Sequence, residues 1–185
     1  KHAGMPSAKL DALMEMLDDV VAEGHRVLVF SQFTRYLALA RARLDAAGIR
    51  HAYLDGRTRK RDMVIDAFRS GTAPVFLISL KAGGFGLNLT EADYVVLLDP
   101  WWNPATEAQA VDRVHRIGQD KQVMVYRLVS RGTIEEKVMA LKAEKAAIAE
   151  WTVQRSRPYM GICLGLQLLA EAMGGEVGLA SAAEV

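Results

Sequence analysis

The sequence predicts an α/β fold, a parallel sheet with helices on both faces, and three observations predict it. Short apolar, β-rich runs at 26–31, 75–79 and 94–99 are of the kind buried on both faces of a parallel sheet. Amphipathic stretches of helical period alternate with such runs, and three of them stop at a glycine, Gly24, Gly48 and Gly71. Strands that alternate with helices in this way leave few topologies other than a parallel layer covered on each side.

Each element has its own local reason. Ser7 is positioned as the N-cap of a helix over 8–22, with Leu10, Leu13, Met14, Leu17 and Val21 on one face. The run Arg-Val-Leu-Val-Phe-Ser at 26–31 follows as a strand, then a helix over 34–47, a short strand at 51–54 and a helix over 59–70. Strands are expected again at 75–79, 94–99 and 122–128. Between the last two, Asn103-Pro104 supplies an N-cap and a proline at the first helical position, so a helix is expected from there to about Gly118. Thr133-Ile-Glu-Glu136 has the spacing of a capping box that launches a long helix to about residue 149. The pattern divides the chain into a main domain, 1–150, and a short C-terminal extension, 151–185.

Composition sets the outer bounds. A chain of 185 residues can bury one full core and a small appendage. With 51% hydrophobic and 24% charged residues it has an ordinary globular balance, which excludes disordered and fibrous classes. The net charge of +1 gives no global sign of a nucleic-acid binder, although Arg57, Arg59, Lys60 and Arg61 cluster locally. No apolar run is long enough to cross a bilayer and no secretory signal opens the chain, so a cytoplasmic location without membrane contact is expected. The lone cysteine, Cys163, excludes an internal disulfide and fits a reducing compartment. The chain opens on Lys1 rather than methionine, which is compatible with a fragment or a processed form.

In a doubly wound sheet, ligands gather beyond the carboxyl ends of the strands. The loops expected there are polar and rich in glycine: Ser31-Gln32-Phe33, Asp55-Gly56-Arg57-Thr58, the segment from Ser79 to Asn88, and Asp99-Pro100-Trp101-Trp102-Asn103-Pro104. Gly83, Gly84 and Gly86 allow backbone N–H groups to approach an anion, while Ser79 and Lys81 add a hydroxyl and a charge suited to phosphate. Taken alone, the glycines read as a tight turn, and neither the phosphate-loop nor the dinucleotide fingerprint is matched. Gln109, Arg113 and Arg116 share one helical face at i, i+4 and i+7, suited either to a solvated surface or to fork-like recognition of phosphate oxygens. His115 points away from that face. Trp101 and Trp102 could stack on a base, but adjacent tryptophans at a strand end more often comprise one core anchor and one interface residue. Asp55 and Asp99 could act as acid or base, although aspartates in such loops usually bind local backbone. No His, Cys, Asp and Glu spacing suggests a metal site.

Five segments occur in a recognisable order: Val-Leu-Val-Phe-Ser-Gln-Phe, Tyr-Leu-Asp-Gly-Arg-Thr, Leu-Ile-Ser-Leu-Lys-Ala-Gly-Gly-Phe-Gly-Leu-Asn-Leu, Leu-Asp-Pro-Trp-Trp-Asn-Pro and Gln-Ala-Val-Asp-Arg-Val-His-Arg-Ile-Gly-Gln. Over residues 7–148 they resemble the C-terminal, RecA-like lobe of Swi/Snf-type DNA-dependent ATPases of helicase superfamily two. Asp-Pro-Trp-Trp-Asn-Pro is most similar to the bacterial branch, which implies a bacterial cytosol or nucleoid. The resemblance implies that Arg113 and Arg116 are arginine fingers reaching the γ-phosphate of ATP, with Gln109 holding the arrangement of the two lobes around nucleotide. It further implies that Ser79, Lys81, Gly83 and Asn88 touch one DNA strand's backbone, that Gly84 and Gly86 couple it to the nucleotide, and that Ser31, Gln32, Asp55 and Gly56 lie near DNA. ATP with Mg²⁺ would be held mainly by an N-terminal RecA-like lobe, whose phosphate loop and Asp-Glu-x-His motif do not occur here. The implied partners are that lobe and double-stranded DNA, and the chain alone is expected to be inactive. An RNA-directed ATPase lobe and a non-catalytic interaction domain are the competing readings; Trp-Trp-Asn-Pro with Arg-Ile-Gly-Gln disfavours the first, and the two arginines disfavour the second.

The C-terminal extension departs from that pattern. Residues 158–169, containing Gly161-Ile-Cys163-Leu-Gly165, resemble the nucleophile elbow of class I glutamine amidotransferases, in which a cysteine attacks the glutamine amide. Such a cysteine needs a histidine base oriented by a carboxylate, and in that family both lie far downstream. The histidines here, His2, His25, His51 and His115, all precede it. A non-catalytic tail, from a fusion or a junction, is the favoured reading, with a glutaminase fragment as the alternative.

Overall fold

A computed structural model describes residues 7–80, 82, 87–101, 114 and 122–154. In chain order the elements are α1 (Ala8–Ala22), β1 (Val27–Ser31), α2 (Thr34–Ala46), β2 (His51–Leu54), α3 (Arg61–Arg69), β3 (Val75–Ser79), β4 (Tyr94–Leu97), β5 (Met124–Arg127) and α4 (Ile134–Gln154). The five strands form one sheet in the order β2-β3-β1-β4-β5, and every adjacent pair is parallel. The expected α/β parallel layer is therefore present. Of the helix expected over 103–118, only Val114, which is buried, is among the described residues.

The chain divides into two compact units, one of Lys1–Pro100 with Ala110–Ser130, the other of Trp101–Gln109 with Arg131–Val185. The first contains the whole sheet. β1 and β3, two inner strands that are apolar up to a terminal serine, are buried at every position. Alternate side chains of one strand face opposite ways. Val27, Val29, Val75, Leu77 and Val96 accordingly share a core with Leu10, Leu13 and Leu17 of α1 and Leu37, Ala40 and Leu44 of α2. The alternate residues take the other face, where Phe76 meets Phe68 of α3 with ring centroids 5.3 Å apart. A helix on each face is what a parallel strand with apolar residues pointing both ways requires.

Two details correct the sequence reading. On α1 the buried fourth position is Val20 rather than Val21, because the stripe continues i, i+3, i+7, i+10 from Leu10. At the start of α4, Thr133 Oγ1 accepts from the N–H of Glu135 at 3.3 Å, and Glu136 Oε2 accepts from the N–H of Gly132 at 2.8 Å. The first bond is one residue short of the reciprocal capping box and the second one residue long, yet two backbone donors at the helix entrance are still satisfied. Gly71 ends α3 at φ +79°, and a Cβ there would come within 2.9 Å of Arg26 Nη2. That guanidinium cannot swing away freely, since its Nη1 donates to the carbonyls of Phe68 and Arg69.

Candidate functional site

The parallel register brings the carboxyl ends of the strands to one edge of the sheet. Ser31 at the end of β1 lies beside Ser79 at the end of β3, and Leu97 of β4 pairs with Phe30. β2 ends nearby at Leu54, followed by Asp55. The expected loops after these strands thus share an edge, as the parallel topology demands.

Asp99 organises the centre of this edge. Its carboxylate is buried and receives a short hydrogen bond from Ser31 Oγ on one oxygen and the N–H of Gln32 at 3.0 Å on the other. Ser31 Oγ also lies 3.4 Å from the carbonyl of Phe33, but its single proton is better used on the charged acceptor. The freed lone pairs of that oxygen accept the N–H of Phe33 at 3.0 Å. The backbone turn after β1 is consequently fixed by a side chain on β4's exit. Gln32 and Phe33 stand exposed on it. Lys9 of α1, which the sequence reading did not single out, reaches the same edge and donates to the carbonyl of Leu98 at 2.8 Å.

Asp55 serves its own turn. Its Oδ1 accepts the N–H of Arg57 at 2.9 Å and the hydroxyl of Thr58 at 3.1 Å, while Thr58 Oγ1 accepts the N–H of Asp55 at 3.0 Å. Such Asx-type closure explains the Asp-Gly-Arg-Thr sequence without a proton-transfer role. Burial, reinforced by the charge of Asp55, holds the Tyr53 phenol above its ordinary pKa, partly offset by Arg41. Gly56 has an ordinary φ, and a Cβ there would meet nothing within 4 Å.

Ser79 differs from both. It is buried, with 1% of its surface exposed, and its Oγ has no hydrogen-bond partner among the described residues. Beyond it, the N–H of Leu80 donates to the carbonyl of Ser31 and that of Ala82 to the carbonyl of Ser79, so the chain turns at once. Further on, Asn88 is exposed and its carbonyl is held by Arg69 Nη2 at 2.8 Å. Trp101 is buried, as a core anchor would be. Lys81, Gly83, Gly84, Gly86, Gln109, Arg113, Arg116, Trp102 and Cys163 lie outside the described residues.

The opposite edge of the sheet holds a second carboxylate clamp that sequence reasoning missed. Buried Asp93 accepts the N–H of Arg26 at 2.9 Å on one oxygen and meets His25 Nδ1 at 2.6 Å on the other. The signal was present as an aspartate just before β4 and a histidine just before β1, but only the register joins them. Among the described residues no group of three or more His, Cys, Asp or Glu could hold a metal ion. Asp55 and Asp99 are engaged by backbone and hydroxyl donors.

A five-stranded parallel sheet with helices on both faces and its polar loops gathered on the carboxyl edge defines the chain as a RecA-like α/β lobe. Residues 8–118 match the family described as the helicase conserved C-terminal domain, and the chain belongs to it. It is similar to the SNF2 domain-containing protein ENL1 of rice, 43% identical over 77% of this chain and 15% of that one. It is 45% identical to the DNA repair protein RAD5 of Cryptococcus neoformans over 77% of this chain and 12% of the relative. Similarity to the chromatin-remodeling ATPase INO80 of Aspergillus oryzae is 45% over 80% of this chain and 10% of the relative. The chain thus spans only a small part of these relatives. Among solved structures, the C-terminal part of the Fun30 ATPase domain superposes with a TM-score of 0.70 at 40% identity, covering 74% of this chain and 46% of that one. The chain is therefore a helicase C-terminal domain that is similar to those of SNF2-type proteins. These relatives are plant and fungal, so they do not support the expected bacterial branch or bacterial cytosol. Among the described residues no helix is long and apolar enough to cross a membrane.

Residues 119–184 also match the class I glutamine amidotransferase family. That span includes a strand of the helicase sheet, since β5 at Met124–Arg127 pairs in register with β4. Two of the chain's four histidines are engaged elsewhere: His25 with Asp93, and His51, whose Nδ1 donates to the carbonyl of Ile49 at 3.0 Å.

Proposed function

We propose that this segment is the second motor lobe of an ATP-dependent translocase on double-stranded DNA, acting with an ATP-binding RecA-like lobe carried elsewhere. In this reading Arg113 and Arg116 stabilise the charge that develops on the transferred γ-phosphoryl group, and Gln109 helps hold the two lobes around nucleotide. Gly84 and Gly86 face the nucleotide. Ser31, Gln32, Asp55, Gly56, Ser79, Lys81, Gly83 and Asn88 form the face presented to DNA. ATP brings its own Mg²⁺, held by the other lobe.

The observation that carries the reading is Ser79. A buried hydroxyl without a partner costs about 1–3 kcal/mol, and native structures hold few of them. This one stands at the carboxyl edge, at the start of the glycine-rich segment, where a phosphate oxygen or the segment closing on one would complete it. The sequence Trp-Trp-Asn-Pro and the names of the relatives favour DNA over RNA.

The test uses the complete two-lobe enzyme. Arg113→Ala and Arg116→Ala should reduce DNA-stimulated ATP hydrolysis, by about 10³-fold for the stronger finger, while ATP and DNA binding persist. Lysine should rescue poorly, because an ammonium keeps the charge but loses the fork. Turnover within a few-fold of wild type in both alanine variants, with folding checked by circular dichroism, would remove the finger assignment.

A further inference from the structure

β2 is an edge strand: among the described residues it pairs only with β3. Alongside it runs an open groove of about 500 Å³ between α2 and α3, with Tyr53 of β2 and Met63 and Val64 of α3 in its lining and Arg41 and Lys60 at its rim. Met63 is 65% exposed, unusual for a side chain of its kind. Arg41 lies over the Tyr53 ring, 5.2 Å from its centroid. Neither Arg41 nor Lys60 has a carboxylate within ion-pair distance among the described residues. Arg57 and Arg59, exposed on the loop between β2 and α3, extend the same positive rim.

We propose that this groove docks an extended acidic peptide segment of a partner protein, added as a further strand on the outer edge of β2. An edge strand offers main-chain donors and acceptors to an incoming strand, which supply affinity, while alternate side chains supply specificity. One set of alternate side chains would rest on Met63 and Val64. Acidic residues of the segment would meet Arg41 and Lys60, two cations without an ion-pair partner among the described residues. Charge alone would also suit a nucleic-acid backbone. The methionine and valine floor and the strand edge decide against it, since phosphates and sugars gain nothing from either.

The experiment titrates three fluorescent probes against the chain at moderate salt: a twelve-residue peptide alternating glutamate with valine, the same peptide with lysine for glutamate, and a short DNA duplex. The acidic peptide should bind, and the basic one should not. The acidic peptide should slow amide hydrogen exchange at residues 51–54. Arg41→Glu with Lys60→Glu should weaken the acidic peptide at least tenfold and leave the duplex affinity within a few-fold; Arg41→Gln with Lys60→Gln serves the same purpose if charge reversal harms folding. No binding of the acidic peptide, equal binding of both peptides, or protection elsewhere than β2 would overturn the proposal. So would a duplex that loses affinity with the double variant, because the groove would then belong to DNA.

Discussion

Ser31 and Asp99, separated by 68 positions, are joined in the fold by a hydrogen bond from the serine hydroxyl to the buried carboxylate. Asp93 makes the matching connection at the other end of β4, to the backbone of Arg26 and the ring of His25. β4 is therefore fastened to β1 by one carboxylate at each end. The carboxyl-end fastening also sets the loop that presents Gln32 and Phe33, so stability and the shape of the site depend on the same residue.

Asp99→Ala should destabilise the fold by about 3 kcal/mol, because it strands the Ser31 hydroxyl and the Gln32 N–H, each previously bonded to a charge. Asp99→Asn should cost less, since the amide still offers an acceptor to one donor. Urea denaturation of the three proteins would measure it. A loss below 1 kcal/mol for the alanine variant would mean that the clamp contributes little.

Val20→Ala should cost about 2 kcal/mol, and Val21→Ala clearly less, because Val20 is the buried member of the α1 stripe and Val21 only borders the core. The same denaturation series decides the order. Equal losses would contradict the placement of α1 on the sheet.

The Tyr53 phenol should ionise above its ordinary value of about 10, chiefly because burial disfavours the phenolate and secondly because Asp55 faces it. Since the neutral phenol is the form the fold prefers, the corresponding stability is complete below the unfolded pKa and falls as pH rises through the folded one. Asp55→Asn should lower the midpoint without restoring it to the ordinary value, whereas Arg41→Met should raise it. Ultraviolet titration of phenolate, with Tyr53→Phe identifying the step, reads this out. A midpoint unmoved by Asp55→Asn would show that the two groups do not interact.

Ser79→Ala should leave the isolated chain as stable as before or slightly more so, because it removes a buried hydroxyl that has no partner among the described residues. In the complete two-lobe enzyme the same change should weaken stimulation of ATP hydrolysis by DNA. Thermal unfolding and turnover with and without DNA separate the two effects. Clear destabilisation of the isolated chain would mean that the hydroxyl is satisfied within the lobe, and the functional reading of Ser79 would fail.

The sequence by itself determined the α/β class and most of the elements. Val75–Ser79 and His51–Leu54 form strands at the expected residues, and the glycine stops delimit α1, α2 and α3, because apolar period, capping and positive φ act within a few residues. It also carried the motif order that leads to the helicase family. Helix limits shifted by one or two residues at α3, where Arg59 and Lys60 precede a helix that starts at Arg61. Tertiary structure alone decided what the polar residues do. Asp55 and Asp99 are both aspartates just past strand ends, yet one closes its own turn and the other fastens a neighbouring strand. That difference follows from strand order: β1 lies between β3 and β4, which places the Ser31 loop within reach of Asp99, and no local pattern encodes which strands become neighbours. The same order leaves β2 at the edge and Ser79 buried beside Ser31, so the groove and the unsatisfied hydroxyl exist only once the sheet is assembled.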